Sequence, residues 1–201
     1  MKIGREIKES WSEIKELQAA RVLQRVYNPG DYKLVDLGEL GVIRMRFAGS
    51  QNDVNPNEEP VDATWIAADP TKKGLRWSHT PTGEYSKSDL RAWLNEALYT
   101  RLPEDLKEII VPVVKRQVAY DPKYDCYTDE VCDVLWIPSF SELFDGGYPE
   151  LFSNNESRAL GQPYWTRSAS GTCSVYKVNE HGAICYSETG FLNALILGFS
   201  I

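Results

Sequence analysis

The chain is poor in the residues that build metal and nucleophilic centres, with 2 His and 4 Cys among 201 residues. Cys126, Cys132, Cys173 and Cys185 form no C-x-x-C pair, and His79 and His181 stand alone. Neither a zinc site nor a dense disulfide framework is therefore expected. All four cysteines read as separate buried or free thiols, with bridges at Cys126/Cys132 and Cys173/Cys185 left open. On a hairpin turning at Asn179 to Gly182, Cys185 is expected opposite Tyr176, so no bridge to Cys173 is predicted. No run of about 18 apolar residues occurs, and MKIGREIKES has no apolar stretch behind its charges, so neither a membrane span nor a signal peptide is read. Lys and Arg sum to 22 against 29 for Asp and Glu, and the net charge of −7 argues against a nucleic-acid partner. Gly146 and Gly147 lack the spaced glycines and the Lys of a phosphate loop, and there is no nucleophile elbow or metalloprotease motif. No cofactor and no catalytic residue is expected, although any two acids could still converge as a carboxylate pair.

What the chain does have is aromatics, 6 Trp, 11 Tyr and 6 Phe, which serve both large cores and binding faces. It also has clear helix signals. Ser10 and Glu13 form a capping box ahead of Trp11, Ile14 and Leu17, predicting a helix from Ser10 to about Arg25. Ser86 and Asp89 predict a second, through Arg101, with Leu90, Trp93, Leu94, Ala97 and Leu98 on its core side. Pro103 restarts a short helix through Ile110, and Ser139 with Glu142 opens another carrying Phe140, Leu143 and Phe144. Strand patterns fill DYKLVDL and GVIRMRFA, read as a hairpin with Val42, Ile43, Met45 and Phe47 in the core, and then DATWIAAD, VPVVKRQVAY and DVLWIP. The last 39 residues add PYWTRS, SVYKV, a turn at NEHG, AICYSE and ALILGFSI. Helices early and strands late give an α+β fold with a mostly antiparallel sheet.

The acidity is local. Between 121 and 150, eight acids face only Lys123, which equals the whole net charge, whereas 163–201 is neutral. The acids at 121, 125, 129 and 133 are four apart, unlike a calcium loop, so 121–133 reads as a solvated loop with calcium binding left open. Residues 154–163 read as a further loop. From Arg167 to Ala194 the composition is Ser, Thr, Gly, Asn, Tyr and Glu, which suits either a recognition surface or an exposed hairpin with polar outer residues.

Four stretches together carry a resemblance: GDYKLVDLGELGVIRMRFAG, SDLRAWLNEALYTRLPEDLKEIIVPVVK, DVLWIPSFSELF, and PYWTRSAS with a later Gly-centred turn and ALILGFSI. They resemble an uncharacterised domain of Gram-positive gut bacteria and their prophages. That domain is itself similar to the C-type-lectin-like fold of formylglycine-generating-enzyme relatives. The resemblance covers about residue 30 to 201 and implies a scaffold with a displayed face, as in phage tail receptor-binding proteins and retroelement-diversified display proteins. Trp165, Arg167 and Ser168 would then be framework. Ser170, Thr172, Ser174, Tyr176, Ile184, Tyr186, Glu188, Phe191 and Asn193 would be ligand-binding. Two departures stand out: Ala194 replaces a frequent Gly, and ETGFLNALILGF is more apolar than its counterparts. Gln162 and Pro163 are followed by Tyr164, so the calcium-dependent sugar chemistry of true C-type lectins is not implied. The related oxidase chemistry would need a cysteine pair, for which Cys173 and Cys185 are the candidates.

The expectation is thus a non-enzymatic recognition module. Residues 1–26, net +2, form a docking or oligomerisation helix, and 27–201 form the binding domain. Its partner would be a host or neighbouring-cell surface protein or glycan, in a virion or at a bacterial surface, with a homo-oligomer or larger assembly also open. The alternatives are an enzyme on a related scaffold, oxidase or hydrolase, and a structural virion protein whose Phe191 and Leu192 are buried between subunits.

Overall fold

Ser10 opens the first helix, α1 (Trp11–Ala19): its hydroxyl accepts the Glu13 N–H, and the Glu13 carboxylate takes the Ser10 N–H in return. The computed structural model describes residues 4–201. The helix expected through Arg25 is broken by Arg21, whose φ of 56° leaves the helical region, so a separate turn, α2 (Leu23–Val26), follows. Trp11 and Ile14 are buried in this chain's own core. Trp11 packs edge-on against Trp65 at 5.2 Å and Phe199 at 5.7 Å.

Those partners belong to a four-stranded antiparallel sheet ordered β1 (Tyr32–Asp36), β2 (Val42–Gly49), β3 (Thr64–Ala67) and a last strand, Gly198–Ser200. The expected hairpin forms, turning through 3-10 residues Gly38–Leu40. Ile43, Met45 and Phe47 face inward, but Val42 is 54% exposed. Neighbouring strand residues point to opposite faces, so Val42 cannot share the side of Ile43.

After the short β4 (Leu75–Arg76), the second expected helix is capped by Ser88 rather than Ser86. Ser86 sits in a 3-10 turn, Tyr85–Lys87, while the Ser88 hydroxyl accepts the Arg91 N–H at 3.1 Å. The helix runs as α3 (Asp89–Trp93), widens into a π turn at Leu94–Leu98 and tightens into 3-10 at Tyr99–Arg101. Leu90, Leu94 and Leu98 are buried, as their spacing requires. Next come α4 (Glu104–Lys107), β5 (Val113–Tyr120) and β6 (Cys126–Asp133), the two strands pairing along their full length.

The segment 121–133 is therefore a hairpin tip and a strand, not a solvated loop, and Asp129 and Asp133 are buried. Asp121 and Asp125 stay in the hairpin tip, where the Asp121 side chain accepts the Lys123 and Asp125 N–H groups. Leu135, Trp136 and Ile137 are buried as expected of DVLWIP, but in an extended run with one isolated bridge, Trp136 to Gly198. Helix α5 (Phe140–Phe144) has the expected capping box from Ser139 and Glu142. The 154–163 loop holds one helical turn, α6 (Asn155–Arg158), capped by Asn154. The remaining strands are β7 (Tyr164–Gly171), β8 (Ser174–Val178), β9 (Ile184–Glu188), β10 (Leu192–Asn193) and β11 (Gly198–Ser200). β7, β8 and β9 form one antiparallel sheet and β10 pairs with β4. The chain from Ala194 to Ile201 is buried throughout, so the end of the chain ties the β7–β9 side to the first sheet.

Candidate functional site

The β8–β9 hairpin sets the geometry of the expected binding face. Its register pairs Tyr176 with Tyr186, Ser174 with Glu188 and Val178 with Ile184, and Cys185 lies opposite Lys177 instead of Tyr176. The expectation missed by one residue because Asn179 closes the turn on Ala183, with its side chain accepting the His181 and Ala183 N–H groups. Gly182, at φ 77°, rests on Asn155 so closely that a Cβ would lie 1.8 Å from the Asn155 carbonyl oxygen.

By strand alternation Ser174, Tyr176, Ile184, Tyr186 and Glu188 share one face. Tyr186 is 72% exposed, Ile184 and Glu188 are exposed, and Ser174 and Tyr176 are half-buried. Ser170 joins them, its hydroxyl bonded to that of Ser174 at 2.9 Å. Thr172 lies half-buried in the β7–β8 turn and Phe191, 61% exposed, in the turn after β9. Asn193 does not belong to the face: it is buried on β10 opposite Leu75, with its side-chain oxygen 3.4 Å from the Lys177 ammonium.

Two further rings complete the face, and they come from α5. Phe140 meets Tyr176 at 5.5 Å, and Phe144 stacks on Phe140 at 5.0 Å. The Arg158 guanidinium lies 4.1 Å over Phe144, held by the carbonyls of Leu143 and Phe152. The result is a row of three rings, Phe144–Phe140–Tyr176, with Tyr186, the strand partner of Tyr176, on the same face together with Ser174 and Glu188.

The other side of α5 is charged. Glu142 binds the Arg167 guanidinium through both oxygens at 2.6 and 2.7 Å and accepts from Lys115 at 3.0 Å. Lys115 also donates to Asp53 and to the Tyr148 hydroxyl and lies 3.4 Å from the centre of the Trp136 ring. Asp53 in turn accepts from Thr64 and Ser200, and Gln117 accepts from Arg167 at 2.9 Å. Two cations and two carboxylates thus balance within the interior. Burial alone would push the Glu142 carboxyl up, but Arg167 and Lys115 outweigh it and hold it well below the usual carboxylate range. Burial, reinforced by the charges of Glu142 and Asp53, pushes the Tyr148 phenol well up.

A hollow of about 230 Å³ lies above this cluster, lined by Asn52, Val54, Arg116 and Ser141 among others. All three Lys115 protons are taken by Asp53, Glu142 and Tyr148, which leaves none to act on a ligand. The network is therefore a brace for α5. The expected framework residues Trp165, Arg167 and Ser168 are all buried, Arg167 in this network and Trp165 against Trp77. Ser168 accepts the Phe140 N–H at 3.0 Å, and the Trp165 indole donates to the Leu75 carbonyl at 2.9 Å.

Lys115, Asp53 and Tyr148 were not singled out from sequence. The alternation in VVKRQVAY does place Lys115 and Gln117 on the face of Val113 and Ala119, and all four are buried. That was the available signal.

Other groups do not converge. A larger pocket of about 450 Å³, lined by Tyr32, Arg44, Glu150, Asn154 and Ser157 among others, lies beside β1 and β2. Its Arg44 is already bound to Asp69 by a two-pronged contact. Among its described lining residues there is no His or Cys. All four cysteines are free thiols. Cys173 precedes β8 and lies four positions from Lys177, the partner of Cys185. Four strand steps are about 13 Å, well beyond disulfide reach. Among the described residues no group of three or more His, Cys, Asp or Glu could hold a metal ion, and no helix is long and apolar enough to cross a membrane.

The comparisons with known proteins add one finding. A family model described as a domain of unknown function, DUF6273, matches residues 62–194, more than half of the chain. No curated protein and no solved structure matches it. The chain belongs to the DUF6273 family.

Proposed function

We propose that this DUF6273 chain is a non-enzymatic recognition module, with a C-type-lectin-like core, that binds a surface glycan or protein through the β8–β9 face. One observation carries the reading: a row of three rings, Phe144–Phe140–Tyr176, braced at its inner end by a buried ion network, beside which Tyr186, the strand partner of Tyr176, is 72% exposed. Rings fixed in place lose little side-chain entropy on binding, and flanking hydroxyls supply hydrogen bonds. A sugar offers the matching chemistry, C–H faces for the rings and hydroxyls for Ser170, Ser174 and Glu188. A phage tail tip or bacterial surface is the setting that the resemblance implies.

A glycan and protein array probed with wild type and with a Tyr176→Ala/Tyr186→Ala double variant tests this. Losing two central aromatics should weaken the best ligand by about 2 kcal/mol or more, roughly thirtyfold. Equal binding by both proteins removes the proposal. A structural virion role is the second reading, favoured by the exposure of Phe191 and Leu192, 61% and 65%. It predicts that both become protected when neighbouring virion subunits are added.

A further inference from the structure

We infer that β9 pairs edge to edge with β9 of a second copy of this chain, antiparallel and about a two-fold axis at Tyr186. β9 is the outer strand of its sheet. At its two ends, Asn179 donates to Ala183 and Thr189 donates to Cys173. These fix the hydrogen-bonded positions of the ladder, which then fall at Lys177/Cys185 and Val175/Ser187. Ile184, Tyr186 and Glu188 therefore turn their N–H and C=O groups away from β8. Among the described residues, no hydrogen bond from outside the ladder reaches the backbone of Ile184 or Tyr186. Of the usual protections of an open edge the strand has only its shortness and the single charge of Glu188, with no Pro, no Lys and no bulge.

The sequence of the strand selects its own copy as partner. With the axis at Tyr186, Ile184 meets Glu188 of the partner copy, Tyr186 meets Tyr186, and Cys185 meets Ser187. This register is the one that pairs all three outward-turned residues; the Glu188 carbonyl already accepts the Phe191 N–H, so the pairing adds about four main-chain hydrogen bonds to the remaining outward-turned groups. It also keeps the lone charge, Glu188, away from its own counterpart and opposite an apolar side chain, avoiding the penalty of like charges face to face. The two aromatic rows would then meet at the axis, giving one continuous strip with two binding faces. That last consequence rests on the proposed function, whereas the pairing does not.

Sedimentation equilibrium over a concentration series tests the pairing on three proteins. Wild type should reach a dimer. Tyr186→Lys puts two cations opposite each other at the axis and should weaken the dimer by about tenfold or more. Ile184→Lys puts a cation opposite the partner's Glu188 and should leave the dimer as tight or tighter. Both side chains are exposed, so neither change stresses the monomer, and circular dichroism checks that. A wild type that stays monomeric, or two Lys variants that dissociate alike, overturns the inference.

A second measurement does not depend on these substitutions. In a protein with Cys126, Cys132 and Cys173 changed to Ser, Ser187→Cys should yield a disulfide-linked dimer on mild oxidation. Adding Cys185→Ser should abolish it, and oxidation to dimer regardless of Cys185 would count against this register. Ligand binding by a Tyr176→Ala variant is read separately, so failure of the pairing and failure of the binding face remain distinguishable.

Discussion

Glu142 holds two structures at once. Its carboxylate closes the capping box of α5 and receives both Arg167 and Lys115. Replacing it with Gln keeps the shape and much of the cap but leaves two buried cations with Asp53 as their remaining anion. Breaking a buried pair by removing one partner costs about 3–5 kcal/mol. Glu142→Gln should therefore lower the urea midpoint by that equivalent without changing the slope. The same residue sets a pH dependence. Its folded carboxyl is held below its ordinary value, so the stabilisation is complete above the unfolded value of about 4.3 and is lost as pH falls toward the folded one. Acid titration of stability should show a steep loss below about pH 4 in wild type and a shallower one in Glu142→Gln. Equal acid slopes would mean that Glu142 is not the titrating group.

At the scale of elements, most of the fold was legible wherever a local rule decides the outcome. The Ser10/Glu13 and Ser139/Glu142 boxes formed as read, because capping is settled within four residues. The exception is instructive. Both Ser86 and Ser88 precede the apolar stripe of α3, yet Trp77 accepts the Leu90 N–H and the Ser88 hydroxyl donates to Tyr85, which fixes the later start. Ser88→Ala should cost about 1 kcal/mol and Ser86→Ala close to none, measured by denaturant unfolding. Segment 121–133 misled for a different reason. Its acids suggested solvent, but Asp133 is bound by Arg91 and the Asp129 side chain by Gln117 and the Ser86 N–H, partners 12 to 43 residues away. Likewise the row Phe140–Tyr176 and the brace Lys115–Asp53 join residues that only the tertiary fold makes neighbours. The outward residues of β8 and β9 were those the resemblance implies, and Asn193, implied with them, is not outward, since β10 is held by β4 rather than by the hairpin.

The family match and the folding unit do not share the same limits. Residues 62–194 contain the proposed binding face and most of the ion network but only one strand, β3, of the first sheet. On one side β3 pairs with β2, and on the other with β11. Both lie outside the match. Trp65 on β3 is fully buried against Trp11, Phe47 and Phe199, and all three would be missing from a fragment of the matched residues. So would Ser200, which bonds to Asp53, although Asp53 itself would be lost as well and leave Glu142 as the one carboxylate on Lys115. Gly198 has no room for a side chain, because a Cβ would sit 2.3 Å from the Trp136 ring. The C-terminal strand is thus fitted against the residue over which Lys115 lies. Isolated 62–194 should consequently show no cooperative unfolding transition by calorimetry, whereas the full chain should unfold in one. Gly198→Ala in the full chain should destabilise by about 1–3 kcal/mol, the usual cost of forcing extra volume into a packed core. A fragment that melts cooperatively would show that the first sheet is dispensable and would remove the idea that residues outside the family match hold the proposed recognition face in place.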